Sequence, residues 1–171
     1  GRGLVAARAF GAEGIAMGTR FLLTSDSDVP DAVKEIYLGT ALTGTVVTTA
    51  LDGVPQRVIN TELVQRLERA KVTAFPKAAA NALRFARLTG TPLTQLVREG
   101  VAMNQHQDLS WAQMARAANA PMMTQATMVD GRPEVGVLPT GQNVGVITEL
   151  PSCAQLIERV LAEATEALDA L

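Results

Sequence analysis

Gly14-Ile15-Ala16-Met17-Gly18-Thr19-Arg20-Phe21 reads as a short buried strand, Ile15 to Met17, that breaks at a glycine and delivers a hydroxyl and a cation. Gly18 lets a backbone approach a ligand closely, because it carries no Cβ. Thr19 adds an N–H and an O–H at the same point, and Arg20 supplies a planar fork suited to a phosphate or carboxylate. N–H groups that open a helix after a strand form a ready anion site. Upstream, Leu4 to Phe10 is helical in character and Gly11 stops it as a C′ residue would. Helix, glycine-rich turn, strand and Gly-Thr make half of a βα repeat, and in a βα barrel the phosphate site lies in the loops after the last two strands. On spacing alone, a glycine required only for strand-to-helix packing accounts equally well for the pair.

The longer run is more specific. Gly1-Arg2-Gly3-Leu4-x-Ala6-Ala7, then Gly11-Ala12-x-Gly14-Ile15-Ala16-Met17-Gly18-Thr19-Arg20-Phe21-Leu22, resembles the end of the flavin barrel in nitronate monooxygenases, the 2-nitropropane dioxygenase-like family. That resemblance implies an FMN phosphate held by backbone groups of the last two barrel turns, with Ala16, Met17, Gly18 and Thr19 as the cofactor-binding residues. It continues through Thr24-Ser25-Asp26-Ser27, Val29 to Lys34, Gly44 to Thr49 and Thr61 to Val64. It resumes at Leu109-Ser110-Trp111, Ala118 to Met122 and Leu150 to Cys153, and so spans nearly the whole chain. The chain is most similar to the branch of actinobacterial flavin enzymes of steroid ring C/D degradation. Membership there implies oxidation of a hydroxy-indanone carboxyl-CoA thioester.

With 171 residues, 47% of them hydrophobic, the chain is long enough for one sizeable core. A closed eight-stranded βα barrel takes about 250 residues. The expected fold is therefore α/β: the C-terminal part of a TIM (β/α)8 barrel plus an appended mainly helical domain with a β-hairpin. Residues 1–42 are expected to supply the last βα units, 43–150 the hairpin and helical cap, and 151–171 a C-terminal helix. The N-terminal half of the same barrel is then a partner, a homodimer is a further option, and the segment alone should not be stable.

The net charge of −2 implies no global attraction to nucleic acid, and aromatics at 4% argue against base stacking. No stretch approaches the roughly eighteen apolar residues of a membrane span. The single cysteine, Cys153, excludes an internal disulfide and fits a reducing cytoplasm. It is more often a small core residue than a nucleophile.

Along the chain, Thr24 to Asp28 is a polar loop. Pro30 then opens a helix to about Thr40, with Val33, Ile36 and Tyr37 on one face and Thr43-Gly44 closing it. Thr45 to Leu51 and Gln56 to Asn60, joined through Asp52-Gly53, predict a β-hairpin. Thr48 and Thr49 lie within ligand reach or are simply strand residues chosen for shape. Thr61 caps a helix from Glu62 to about Ala70, with Leu63, Val64 and Leu67 inward. Helices are further expected from Thr91-Pro92, from the capping box Ser110 to Gln113, from Pro121 to Asp130-Gly131, and from Ser152 with Gln155. The last carries an inward stripe of Leu156, Ile157, Val160, Leu161, Ala164 and Leu168. Met114, Met122, Met123 and Met128 read as plastic core or as the lining of an adaptable pocket.

Two features point towards a substrate. From Arg66 to Arg87 the cations are Arg66, Arg69, Lys71, Lys77, Arg84 and Arg87, against the single acid Glu68. They form either a solvated helical face or a strip for the phosphates of a CoA thioester, with Arg84 and Arg87 as its contacts. Gly141-Gln142-Asn143-Val144-Gly145 matches a Gly-Gln-x-x-Gly of the resembled family near its active-site face, which makes Gln142 a candidate substrate-side residue. Alternatively, Gly141 and Gly145 only permit close backbone packing.

His106 is the only histidine, and nothing in its polar surroundings positions it as a base. No His/Cys/carboxylate cluster has metal-ligand spacing, no Ser/His/Asp set is present, and no catalytic residue is assigned. In the resembled family the isoalloxazine carries the redox chemistry, and the base and ring contacts fall outside this sequence. The reading is an FMN-dependent oxidoreductase acting on a steroid-derived acyl-CoA. The alternatives are nitronate monooxygenation and a non-catalytic phosphate-binding or dimerising module.

Overall fold

The computed structural model describes residues 1–69 and 120–170. Helix α1 spans Arg2–Ala9 and ends as predicted. Gly11 takes φ +89°, its N–H reaches the Arg8 carbonyl, and Ala12 N–H returns to Ala7. These two bonds satisfy the orphan carbonyls of the last turn, and the positive φ is why a glycine stands there.

Residues 14–17 then run extended into α2, Gly18–Leu22. The predicted burial and strand pairing of Ile15 to Met17 are not observed. Ile15 is 42% exposed, and the sheet of the described residues is a two-stranded one elsewhere in the chain. A strand is buried by the neighbours that pair with it, and none of the described residues pairs with these three.

The loop 23–30 leads to α3, Asp31–Leu38, which buries Val33 and Tyr37 with Ile36 packed alongside. The helix stops at Leu38, two residues short of the expected Thr40, and Thr43-Gly44 belongs to the turn that follows. The hairpin forms as the sequence predicts. Strand β1, Thr45–Thr48, pairs antiparallel with β2, Gln56–Ile59, in the register Thr45 to Ile59 and Thr48 to Gln56. Gly53 at φ +89° makes the turn. Thr48 is buried at the end of β1, where its Oγ1 accepts from Ala50 N–H at 3.0 Å, and Thr49 is exposed just beyond the strand.

Helix α4, Glu62–Arg69, follows its Thr61 cap, whose hydroxyl accepts from Val64 N–H. Helix α5 spans Ala120–Met128 and is stopped by Gly131 at φ +65°. A 3-10 turn covers Gln142–Val146, the segment the sequence offered either as a substrate-side element or as close backbone packing. The chain closes with α6, Cys153–Asp169. Its predicted capping box is complete: Gln155 N–H donates to Ser152 Oγ at 3.1 Å and Ser152 N–H to Gln155 Oε1 at 2.9 Å. A second cap comes from the 23–30 loop, where Asp26 Oδ2 accepts from Cys153 N–H at 2.8 Å.

The α6 stripe is only half used. Leu156 and Ala164 are buried, whereas Ile157, Leu161 and Leu168 lie open. Helix α6 packs chiefly on α1, which buries no residue of its own, so the contact is too narrow to cover the full stripe.

Two apolar clusters hold these elements. Leu23, Val33, Tyr37, Ile59, Leu138, Val144 and Ile147 form the larger. Leu51, Val58, Val64 and Val137 form the smaller, with Met123 against it, while Met128 packs on the larger one. Both methionines therefore act as core. Met114, His106, Arg84, Arg87 and the helices predicted from Thr91 and Ser110 lie outside the described residues.

Candidate functional site

The turn 16–19 is built by a change of backbone conformation. Met17 is extended at φ −130°, ψ 101°, and Gly18 begins α2. Among the described residues no side chain caps this helix. The first N–H groups of a helix have no intrahelical acceptor, so they are left for solvent or a ligand. Gly18 is exposed, and a Cβ built on it would meet no atom of the described residues within 4 Å. Its bare Cα thus borders open space. Ala16 is exposed beside it, and Met17 and Thr19 are half-buried. An open, uncapped amide turn with a glycine at its entrance suits a phosphate group, which takes hydrogen bonds from backbone N–H.

Thr19 is tied into the fold through Gly141. Its Oγ1 accepts from Gly141 N–H at 2.8 Å, so the Gly-Thr pair and the Gly-Gln pair predicted separately meet in space. Gln142 follows Gly141 and is exposed. The segment carrying them is pinned residue by residue. Ile59 N–H donates to Leu138 O at 3.0 Å, and Thr140 N–H to Arg57 O at 3.0 Å. Between them the buried Tyr37 hydroxyl donates to Pro139 O at 2.7 Å. Burial pushes the Tyr37 phenol well above the ordinary tyrosine value.

Gly145 answers to packing alone. A Cβ there would lie 2.6 Å from Ala41 C and 2.8 Å from Leu42 Cα, both backbone atoms.

Arg20 does not serve the phosphate turn. Its Nη2 donates to Leu23 O at 3.0 Å and to Glu149 O at 3.2 Å, clamping the end of α2 to the approach of α6. Burial lowers its pKa, with the Glu149 carboxylate opposing, and its Nε is buried with no hydrogen-bond partner among the described residues. Glu149 in turn pairs with Arg159 at the surface. Nothing near Arg20 in sequence marked these two carbonyls as its partners.

Among the described residues there is no His/Cys/Asp/Glu group placed to hold a metal ion. No described helix is long and apolar enough to cross a membrane. Arg66, at the near end of the predicted basic strip, pairs with Glu62 across one helical turn at 3.6 Å and is exposed, as a solvated face would be.

Similarity to known proteins extends over the whole of this arrangement. The chain is 50% identical over 96% of its length to a (3aS,4S,5R,7aS)-5-hydroxy-7a-methyl-1-oxo-octahydro-1H-indene-4-carboxyl-CoA dehydrogenase of Mycobacterium tuberculosis. It is 47% identical over 100% of its length to the protein of the same name from Rhodococcus jostii. It covers 46% and 49% of those two proteins, and so spans about half the length of the curated relatives it matches. The solved structure of FabK from Thermotoga maritima matches 99% of this chain with a TM-score of 0.66 at 28% identity, and the match takes in 42% of that chain. This likeness and the family indicate a TIM-barrel-type fold, to which these residues contribute a part. The family model for nitronate monooxygenase matches residues 1–163, and the chain belongs to the nitronate monooxygenase family.

Proposed function

We propose that this chain forms part of a flavin-dependent oxidoreductase that holds FMN and acts on a steroid-derived hydroxy-indanone carboxyl-CoA thioester. The observation that carries the substrate reading is identity of 47–50%, sustained over 96–100% of the chain, with relatives named for that thioester. The cofactor reading rests on the family and on the open Gly18-Thr19 turn, where Ala16, Met17, Gly18 and Thr19 would hold the phosphate. When bound there, a flavin ring supplies a hydride acceptor.

This chain's own contribution is binding and orientation. The amides of the 18–19 turn and the Thr19 hydroxyl fix the phosphate end, and Gly18 keeps the approach clear. Gln142, exposed beside Gly141, faces the substrate side. Arg84 and Arg87 are the residues that would contact the CoA phosphates. Oxidation next to a thioester removes a hydride and a proton, and the proton acceptor is assigned to no residue of this chain. In domain terms, residues 1–42 supply the last βα units of the barrel, 43–150 the hairpin and helical cap, and 151–171 the closing helix. The remaining barrel units are its structural partner, and the reducing cytoplasm is its setting.

A second reading, nitronate monooxygenation, is favoured by the name of the matching family model. One experiment on the whole protein separates the two. The purified protein should be yellow and release FMN on denaturation. Under anaerobic conditions the acyl-CoA should bleach the flavin. Oxygen consumption with propyl-nitronate and no bleaching by the thioester would transfer the assignment to nitronate chemistry. A colourless protein that does not take up FMN would remove both.

A further inference from the structure

The hydrogen-bonding of Thr19 differs from that of other helical threonines in this protein. Thr124 and Thr127 in α5 and Thr165 in α6 each donate their hydroxyl proton to the carbonyl four residues back. Thr19 Oγ1 does not; it accepts from Gly141 N–H and donates to no acceptor among the described residues. A hydroxyl has one proton and two lone pairs. With a lone pair engaged by a fixed backbone N–H, rotation of the O–H is restricted and its proton is left for an acceptor beyond the described residues. The donor is itself immobilised, since Leu138, Pro139 and Thr140 are each bonded to β2 or α3.

Gly141 has φ −82° and ψ 164°, a conformation open to any residue, so its lack of a side chain is not a backbone requirement. A Cβ there would lie 3.4 Å from Thr19 Oγ1 and 3.0 Å from Asn143 Oδ1, crowding the acceptor itself.

We propose that Gly141 is a positioning residue for phosphate recognition: its N–H sets the Thr19 hydroxyl so that the proton is presented to the phosphate monoester of the cofactor. This rests on the phosphate site proposed above and adds the part played by a residue far along the chain. It also couples cofactor phosphate to the order of the 139–146 segment that carries Gln142.

The test is the ratio of dissociation constants for riboflavin and FMN in the whole apoprotein. The two ligands share the ring and differ by the phosphate. Replacing Gly141 by proline removes the N–H and puts the ring Cδ in its place against Thr19 Oγ1, so the hydroxyl loses its donor and its position, while the backbone φ of −82° stays close to the range of the proline ring. Gly141→Pro should reduce the preference for FMN over riboflavin about tenfold, the scale of one charge-assisted hydrogen bond, and leave riboflavin affinity unchanged. A general loosening of the fold would weaken both ligands together and overturn the proposal. So would a preference left intact in Gly141→Pro. Should that variant not fold, amide exchange in the unaltered protein decides. FMN should slow exchange in 139–146 and riboflavin should not, and equal effects would overturn the proposal. If the unaltered protein shows no preference for FMN over riboflavin, the phosphate site itself is wrong and the positioning role falls with it.

Discussion

The Tyr37 hydroxyl, on a side chain with no exposed surface, donates to the Pro139 carbonyl at 2.7 Å and ties α3 to the segment that leads into Gly141. Tyr37→Phe removes the donor and leaves a carbonyl without its partner. Stability should fall by about 1–2 kcal/mol, read from denaturant unfolding of the whole protein. Burial raises the phenol's folded-state pKa above 10.0. The unfolded chain then gives up its proton first as pH rises, so stability is complete below that value and is lost progressively above it. Tyr37→Phe should remove that part of the alkaline loss. An identical alkaline profile in the variant would show that Tyr37 does not carry it.

Asp26 predicts the opposite sign. The Cys153 N–H holds its carboxyl below the ordinary value, with Ser25 adding to the effect. A depressed carboxylate contributes stability that is present above its unfolded pKa and is lost as pH falls through the folded one. Asp26→Ala should flatten the acid limb of the stability profile and lower the melting temperature more than Asp26→Asn, which keeps an acceptor oxygen. Equal melting of both variants and the parent would show that the second cap on α6 contributes nothing.

Gly18 and Gly145 should respond in opposite ways. At Gly18 a Cβ meets no atom of the described residues within 4 Å, so Gly18→Val should leave melting nearly unchanged and sharply weaken FMN retention through dialysis. At Gly145 a methyl group collides with the Ala41–Leu42 backbone, and Gly145→Ala should cost about 1–3 kcal/mol of stability. A Gly18→Val protein that keeps its flavin would remove the phosphate assignment.

Charge reversal tests the basic strip. Contacts between exposed cations and CoA phosphates are screened over a Debye length of about 8 Å at physiological ionic strength. KM for the thioester should rise with salt while turnover at saturation changes little. Arg84→Glu with Arg87→Glu should raise KM and leave FMN retention intact. An unchanged KM would return the strip to a solvated helical face, the character Arg66 already shows.

The local signals were written in the sequence. Ser152 with Gln155, Gly11 after α1, Asp52-Gly53 between a β-branched run and an alternating one, and the Thr61 cap each act over a few residues, and each forms as its chemistry dictates. Backbone dihedrals and hydrogen bonds closed within one turn depend on neighbouring residues alone, so sequence is enough to specify them. The family resemblance likewise sits in contiguous motifs. Tertiary structure decided where the long-range donors went. Thr19 and Gly141 lie 122 residues apart, and Tyr37 and Pro139 lie 102 apart. The Arg20 fork, suited to an anion, is spent on two carbonyls that packing brings within reach. Ile15 to Met17 and the outer half of the α6 stripe have the right composition for burial. Burial, however, belongs to the surface that covers a segment and not to the segment itself.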